Sequence, residues 1–157
     1  MIPKFTRSRL CFALIPFITL GFSTTCIIAA EKPPLPAYKI ETGNVSCGSS
    51  GPSTDWLGRY DGAWKTSPRP VESIIIVTKV EEAFFGCGAK IIAAFGKNSK
   101  SGASYIHTVG EIANGRMRFK TKNGTITGFF RKKKGRLDKT RLIMDHSGGS
   151  RMIGVRQ

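Results

Sequence analysis

The sequence predicts an all-β protein: a single antiparallel β-barrel of about eight strands, mainly an up-and-down meander. Three observations predict it. Two Asn-Gly pairs, Asn114-Gly115 and Asn123-Gly124, lie between runs of alternating apolar residues. Such a pair is a strong hairpin signal, because both central residues of the favoured two-residue turn need φ > 0. From Trp56 onward, about eight short β-branched or aromatic runs alternate with turn residues roughly every ten positions, the spacing of a barrel or sandwich. Finally, Trp56, Gly58, Tyr60, Gly62 and Trp64 occupy alternate positions and share one face of a strand. Large and small residues then alternate, as suits a tight barrel interior. Two glycines so close together argue against a helix there.

The first thirty residues stand apart. Lys4, Arg7 and Arg9 precede an apolar run from Leu10 to Leu20, and the segment ends Cys26-Ile27-Ile28-Ala29-Ala30, where Ala30 is a small residue suited to cleavage. This is the layout of a secretory signal peptide over residues 1–30. An uncleaved anchor is the alternative, since Leu10 to Ala30 is long enough to cross a bilayer. Either way the domain is expected outside the cytoplasm, periplasmic or extracellular, because the positive end stays inside. The whole chain carries 25 Lys and Arg against 10 Asp and Glu, a net charge of +15. Removing the three N-terminal cations leaves about +12, still strongly basic.

Of four cysteines, two remain beyond residue 30, Cys47 and Cys87. In an exported chain these are expected to form one disulfide. It would close a loop of about 41 residues and contribute roughly 4 kcal/mol in the chain-entropy model. With only His107 and His146 available, no metal-ligand spacing is matched, and no metal or cofactor is expected.

Residues 31–55 are rich in Pro, Gly, Ser and Thr and read as an extended leader, pinned at Cys47 and otherwise mobile. The barrel domain is expected over residues 56–157. Ser67-Pro68-Arg69-Pro70 ends its first strand. Val71 to Val80, with Ser73-Ile74-Ile75-Ile76-Val77-Thr78, reads as a strand buried over much of its length. Gly86-Cys87-Gly88 lies in or beside the next turn, and Ala89 to Phe95 is another strand. A polar loop, 96–102, leads into the Asn-Gly meander. Strands over Arg136 to Met144 and Met152 to Val155, turned by 145–150, complete the set.

The meander can be threaded position by position. Asn114-Gly115 pairs Ile112 with Met117, Gly110 with Phe119 and Thr108 with Thr121. Asn123-Gly124 then pairs Met117 with Phe130, Phe119 with Gly128 and Thr121 with Ile126. Phe119 would lie between two glycines. The opposite face carries Arg116, Arg118, Lys120 and Lys122, with Arg131 across from Arg116 and Phe129 beside Arg118. A one-residue slip would bury four cations, so the apolar rows must face the core.

The cationic face is the leading candidate site. Arg116, Arg118, Lys120, Lys122 and Arg131, extended by Lys132, Lys133 and Lys134, would attract an anionic polymer, glycan or lipid headgroup; nucleic acid is a less favoured partner. The plain alternative is a solvated sheet face. A second candidate is a ligand inside the barrel, floored by Trp56, Tyr60, Trp64 and Phe119; simple core packing explains the same residues. Asp145-His146-Ser147 has the residue types of a catalytic triad, but adjacent residues do not converge as a triad must. Glu81-Glu82 points to opposite strand faces. No Gly-x-Ser-x-Gly elbow occurs.

With Gly62-Ala63-Trp64 near the first strand, the pattern resembles a lipocalin-like or calycin-like secreted barrel, whose signature is Gly-x-Trp. The resemblance spans roughly residues 56–157 and rests on architecture more than sequence. It implies an up-and-down antiparallel barrel and a small apolar or amphipathic ligand, and it gives Gly62 and Trp64 structural roles. The chain lacks the C-terminal helix pattern usual in lipocalins. The expected function is an exported, non-catalytic binding protein docking through its basic face. The alternatives are a carrier of a small apolar ligand, and an inhibitor or accessory protein of an extracellular enzyme. An enzyme would need His107 or His146 beside a nucleophile or carboxylate in a cleft.

Overall fold

A computed structural model describes residues 32–66, 69–99 and 101–157. Residues 1–30, read above as a signal peptide, and Ser67-Pro68 lie outside the described residues. Eight strands form a closed antiparallel barrel in sequence order: β1 Gly58–Trp64, β2 Val71–Ala83, β3 Gly86–Phe95, β4 Ser104–Ala113, β5 Arg116–Thr121, β6 Gly124–Lys133, β7 Arg136–His146 and β8 Arg151–Arg156. The fold class read from the sequence is the fold observed. The described helices are single 3-10 turns, Gly48–Ser50 and Ser53–Asp55. Trp56 follows the second of these turns rather than opening β1.

Closure joins β1 to β8, and two glycines let them approach. A Cβ on Gly62 would sit 2.4 Å from the Ile153 carbonyl oxygen. One on Gly154 would sit 2.9 Å from the Tyr60 Cβ. The barrel axis is filled by side chains: Tyr60, Trp64, Ile75, Val77, Ile91, Ile112, Met117, Phe119, Ile126, Phe130, Leu142, Met144 and Met152 are all buried. Trp56 plugs one end, its ring 4.7 Å from Phe130 and its indole N–H donating to the Ser50 carbonyl at 3.0 Å.

The first hairpin of the meander has the expected register, with Gly110 opposite Phe119 and Ile112 opposite Met117. Asn114 and Gly115 have φ of 51° and 70°, as the two-residue turn requires. The second hairpin differs. Met117 pairs with Gly128 and Phe119 with Ile126, two residues from the expected register. The turn is centred on Lys122-Asn123, and Gly124 lies inside β6 with φ 143°. Its glycine serves a different need: a Cβ there would sit 2.4 Å from the Ser147 Oγ and 3.0 Å from the His146 ring. The β7–β8 turn packs onto this spot, and the Thr125 N–H donates to Ser147 Oγ at 3.1 Å. Phe119 is consequently flanked by Gly110 on β4 and Ile126 on β6; Gly128 makes room for Met117 instead. A shift of two preserves side-chain parity, so the inner and outer faces remain as read.

Gly86, Cys87 and Gly88 belong to β3, and Phe84-Phe85 form the turn before it. Strand β2 bulges at Thr78, between the pairs Val77–Ile91 and Lys79–Lys90. Before the bulge its odd-numbered residues face inward and Ile74 and Ile76 face outward. The outward pair joins Ile92 and Ala94 in a second apolar cluster on the barrel's outer wall, covered by Leu35 and Ile40. Burial on both faces explains the unbroken apolar run in β2.

The 32–57 segment lies along the barrel. The Glu41 N–H donates to the Thr78 carbonyl at 2.7 Å, at the bulge. Lys79 bridges Glu41 at 3.3 Å and Glu81 at 2.5 Å. Cys47 and Cys87 form the expected disulfide, with Cα atoms 5.2 Å apart. Buried Ser53 ties the coil to itself, accepting from the Val45 N–H and donating to the Gly43 carbonyl. Ser50 Oγ accepts from the Gly115 N–H at 2.9 Å, fastening the segment to the β4–β5 turn.

Candidate functional site: the cationic outer wall and its arm

In a barrel, alternate residues of each strand point away from the axis. On β5 these are Arg116, Arg118 and Lys120, with Lys122 in the following turn, and all four are exposed. Arg131, Lys132, Lys133 and Lys134 are exposed as well. Four of the eight predicted cations thus lie along β5 and the turn after it, and four at the end of β6 and the turn after that; among the described residues none of the eight is ion-paired. Glu111 sits opposite Arg118 in register without closing an ion pair.

Their cross-strand neighbours differ from the sequence threading because of the two-residue shift. Arg118 faces Thr127 rather than Phe129, and Lys120 faces Thr125. Arg131 is not across from Arg116; it pairs with Asp138 on β7. That carboxylate accepts from the Thr140 hydroxyl and backbone N–H, which hold it below the ordinary Asp range.

A departure from simple barrel geometry sets the shape of the site. The ladder between β6 and β7 jumps from Phe130–Leu142 to Arg131–Asp138, so β7 carries three extra residues, Lys139 to Arg141. Beyond the jump neither strand has a third partner. The β5–β6 ladder begins at Met117–Gly128, and the β7–β8 ladder begins at Arg141–Val155. Residues 131–140 thus form a two-stranded arm that extends past the barrel rim. Its tip is Lys134-Gly135, with φ of 51° and 79°. The run Arg131-Lys132-Lys133-Lys134-Gly135-Arg136-Leu137-Asp138-Lys139 carries six cations and one acid. At the base, Lys139 Nζ meets the Asp55 carboxylate at 2.6 Å, and Phe130 packs on Trp56. The sequence reading missed Arg136 and Lys139 as parts of this surface. Their membership depends on the hairpin closing at Lys134-Gly135, a turn pair with a weaker signal than Asn-Gly.

The second candidate set, Trp56, Tyr60, Trp64 and Phe119, is brought together, but as packing. Tyr60 is fully buried; its hydroxyl donates to the Trp56 carbonyl at 3.1 Å, and burial pushes its pKa up to about 12. The Trp64 ring lies edge-on to His146 at 6.1 Å, and its indole N–H is buried without a hydrogen-bond partner.

His146 Nδ1 accepts from the Gly148 N–H at 2.9 Å, a turn-closing contact. Asp145 is held by Arg151 at 2.6 Å, and that hydrogen bond keeps its carboxyl below the ordinary range. His107 lies on β4, edge-on to Tyr105 at 5.7 Å. Among the described residues no group of three or more His, Cys, Asp or Glu could hold a metal.

An open groove of about 600 Å³ runs between the 32–57 segment and the β1–β8 seam, lined by Tyr38, Ile40, Leu57, Arg59 and Arg156 among others. Its guanidiniums are engaged: Arg59 is bidentate to Asp61 at 2.7 Å, and Arg156 donates to the Thr54 and Leu57 carbonyls. A smaller hollow of about 100 Å³ lies on the cationic wall, between Glu111, Ala113, Asn114, Arg116 and Arg118.

The chain matches no protein-family model, and comparison with curated proteins and with solved structures gives no match either. The closed eight-stranded antiparallel barrel is consistent with a calycin-like architecture. No helix among the described residues is long and apolar enough to cross a membrane. The disulfide is compatible with an oxidising compartment.

Proposed function

We propose that this chain is an exported, non-catalytic binding protein that docks through its cationic outer wall on an anionic component of the cell envelope or extracellular space. One observation carries the reading: eight exposed cations on two neighbouring strands and the turns that follow them, with no ion-pair partner among the described residues. Elsewhere on the surface Arg59, Lys79 and Arg151 each meet a carboxylate. Leaving like charges side by side costs stability in a sheet. A polyanion laid across the wall relieves that repulsion.

The barrel is taken as lipocalin-like in build, with Gly62 and Trp64 in structural roles. The interior-carrier alternative draws less support, because the axis is filled with buried side chains. The test is binding to dextran sulfate across a salt series. Affinity falls steeply with ionic strength, since exposed charges are screened beyond about 8–10 Å at physiological salt. Arg118→Glu with Lys120→Glu weakens binding about tenfold or more, at roughly 1 kcal/mol per cation beside an anionic surface. Folding stability stays within about 0.5 kcal/mol, as for other exposed substitutions. Salt-insensitive binding, or full affinity in the reversed variant, overturns the reading.

A further inference from the structure

In an antiparallel meander every second connection lies at the same end. The β2–β3, β4–β5 and β6–β7 turns therefore share one rim, the rim plugged by Trp56. The β6–β7 turn carries the cationic arm. The β2–β3 turn carries Phe84 and Phe85, the most exposed large apolar side chains described, at 92% and 80%. Their rings meet each other edge to face at 4.6 Å, and at that exposure they have almost no protein beneath them. On the arm, Leu137 is 49% exposed among the cations.

We infer that this rim is a membrane-docking surface, with Phe84-Phe85 entering the interface of an anionic bilayer while the Arg131–Lys139 arm binds its headgroups. The inference rests on the polyanion-binding reading and names its partner. Two features select a lipid surface over a soluble polyanion. First, a soluble chain of sulfates or phosphates engages the cations and leaves two phenyl rings in water. A bilayer takes both: aromatic side chains partition into the headgroup boundary, and clustered lysines add electrostatic attraction. Second, the aromatic and cationic tips stand four strands apart on an eight-stranded rim, on opposite sides of its opening. The Asn114-Gly115 turn lies between them, fastened by Ser50. Three tips on one rim suit a flat surface. Next to the aromatic tip, Glu81 is paired with Lys79.

The experiment uses the protein as its cells export it, in otherwise identical variants, with vesicles of phosphatidylglycerol and phosphatidylcholine in equal parts. Controls are pure phosphatidylcholine vesicles and dextran sulfate. The protein partitions onto the anionic vesicles and not onto the neutral ones. Phe84→Ser with Phe85→Ser lowers that partition about tenfold or more, in line with the burial of a phenyl group, and leaves dextran sulfate binding unchanged. Lys132→Glu, Lys133→Glu and Lys134→Glu together weaken both. As an independent reading, Phe85→Trp shows a blue-shifted emission on anionic vesicles, quenched by brominated acyl chains, and neither change on dextran sulfate. Near-UV circular dichroism confirms that each variant is folded. If the serine variant keeps full vesicle affinity, or the tryptophan reporter shows no shift, membrane docking is overturned while polyanion binding stands. If neither vesicles nor dextran sulfate are bound, both readings fall.

Discussion

Two outer walls of the same barrel have opposite fates. On β2 and β3 the outward residues Ile74, Ile76, Ile92 and Ala94 are apolar, and the 32–57 segment lies over them. On β5 the outward residues are Arg116, Arg118 and Lys120, all exposed, and β6 sets half-buried Thr125, Thr127 and Phe129 beside them. Both walls obey the same period-two alternation, with the core on the inner side. The difference is what the outward positions ask for: one wall gains by leaving water and recruits its own chain, and the other keeps its charges solvated. The covered wall is therefore part of the folding unit, and the bare wall is free to serve a partner.

The covered wall is the one that breaks first. Replacing Cys47 and Cys87 by Ala releases the strap from β3 and costs roughly 4 kcal/mol, the chain-entropy value for a loop of about 40 residues. A lowered denaturant midpoint, together with proteolytic cleavage between residues 32 and 57 before the barrel is cut, checks it. Matched truncations compare the walls directly. Ile76→Ala, beneath the strap, costs about 2–4 kcal/mol, whereas Lys120→Ala on the bare wall stays within about 0.5 kcal/mol. Equal losses in chemical denaturation would remove the distinction.

Alkaline pH probes where the strap meets the core. Tyr60 is neutral and buried, its pKa raised to about 12 from 10.0, and its hydroxyl bonds the Trp56 and Asp55 carbonyls. The folded state thus holds this proton more tightly than the unfolded state. Its contribution is complete below pH 10 and is lost as pH rises from about 10 to about 12, by up to roughly 2–3 kcal/mol. Stability measured at pH 9 and above pH 11 shows this loss, and Tyr60→Phe removes that part of the slope. The smallest effect belongs to the contact joining the two regions. Lys139→Ala breaks the bridge to Asp55, whose lysine side is half-exposed to water, at a cost of about 1 kcal/mol. A double-mutant cycle with Asp55→Ala measures the coupling.

Parity was legible at almost every strand position, because it is written locally: Met117 and Phe119 point in because Arg116, Arg118 and Lys120 cannot. Register was not equally legible. A shift of two residues keeps every side chain on its face, so the alternating pattern of β5 and β6 fits both the expected pairing and the observed one. The Asn123-Gly124 signal pointed to one register. The approach of His146 and Ser147 to Gly124, a contact across more than twenty residues, selected the other. The cationic residues of β5 were found by charge alone. The arm was not, since it depends on the three-residue excess in β7 and on where the neighbouring ladders stop. Phe84 and Phe85 were assigned no role by the sequence, which set the turn in or beside Gly86-Cys87-Gly88 rather than on the two rings.

By itself, then, the sequence determined the all-β class, the strand-by-strand division into inner and outer residues, the cysteine pair and the identity of the charged wall. These follow from side-chain chemistry at a period of two and from the small number of cysteines left to pair. Only the tertiary structure decided the register of the second hairpin, the cover on the β2–β3 wall, the projecting arm and the rim that brings aromatic and cationic tips together. Those depend on contacts between residues far apart in the chain, which no local pattern encodes.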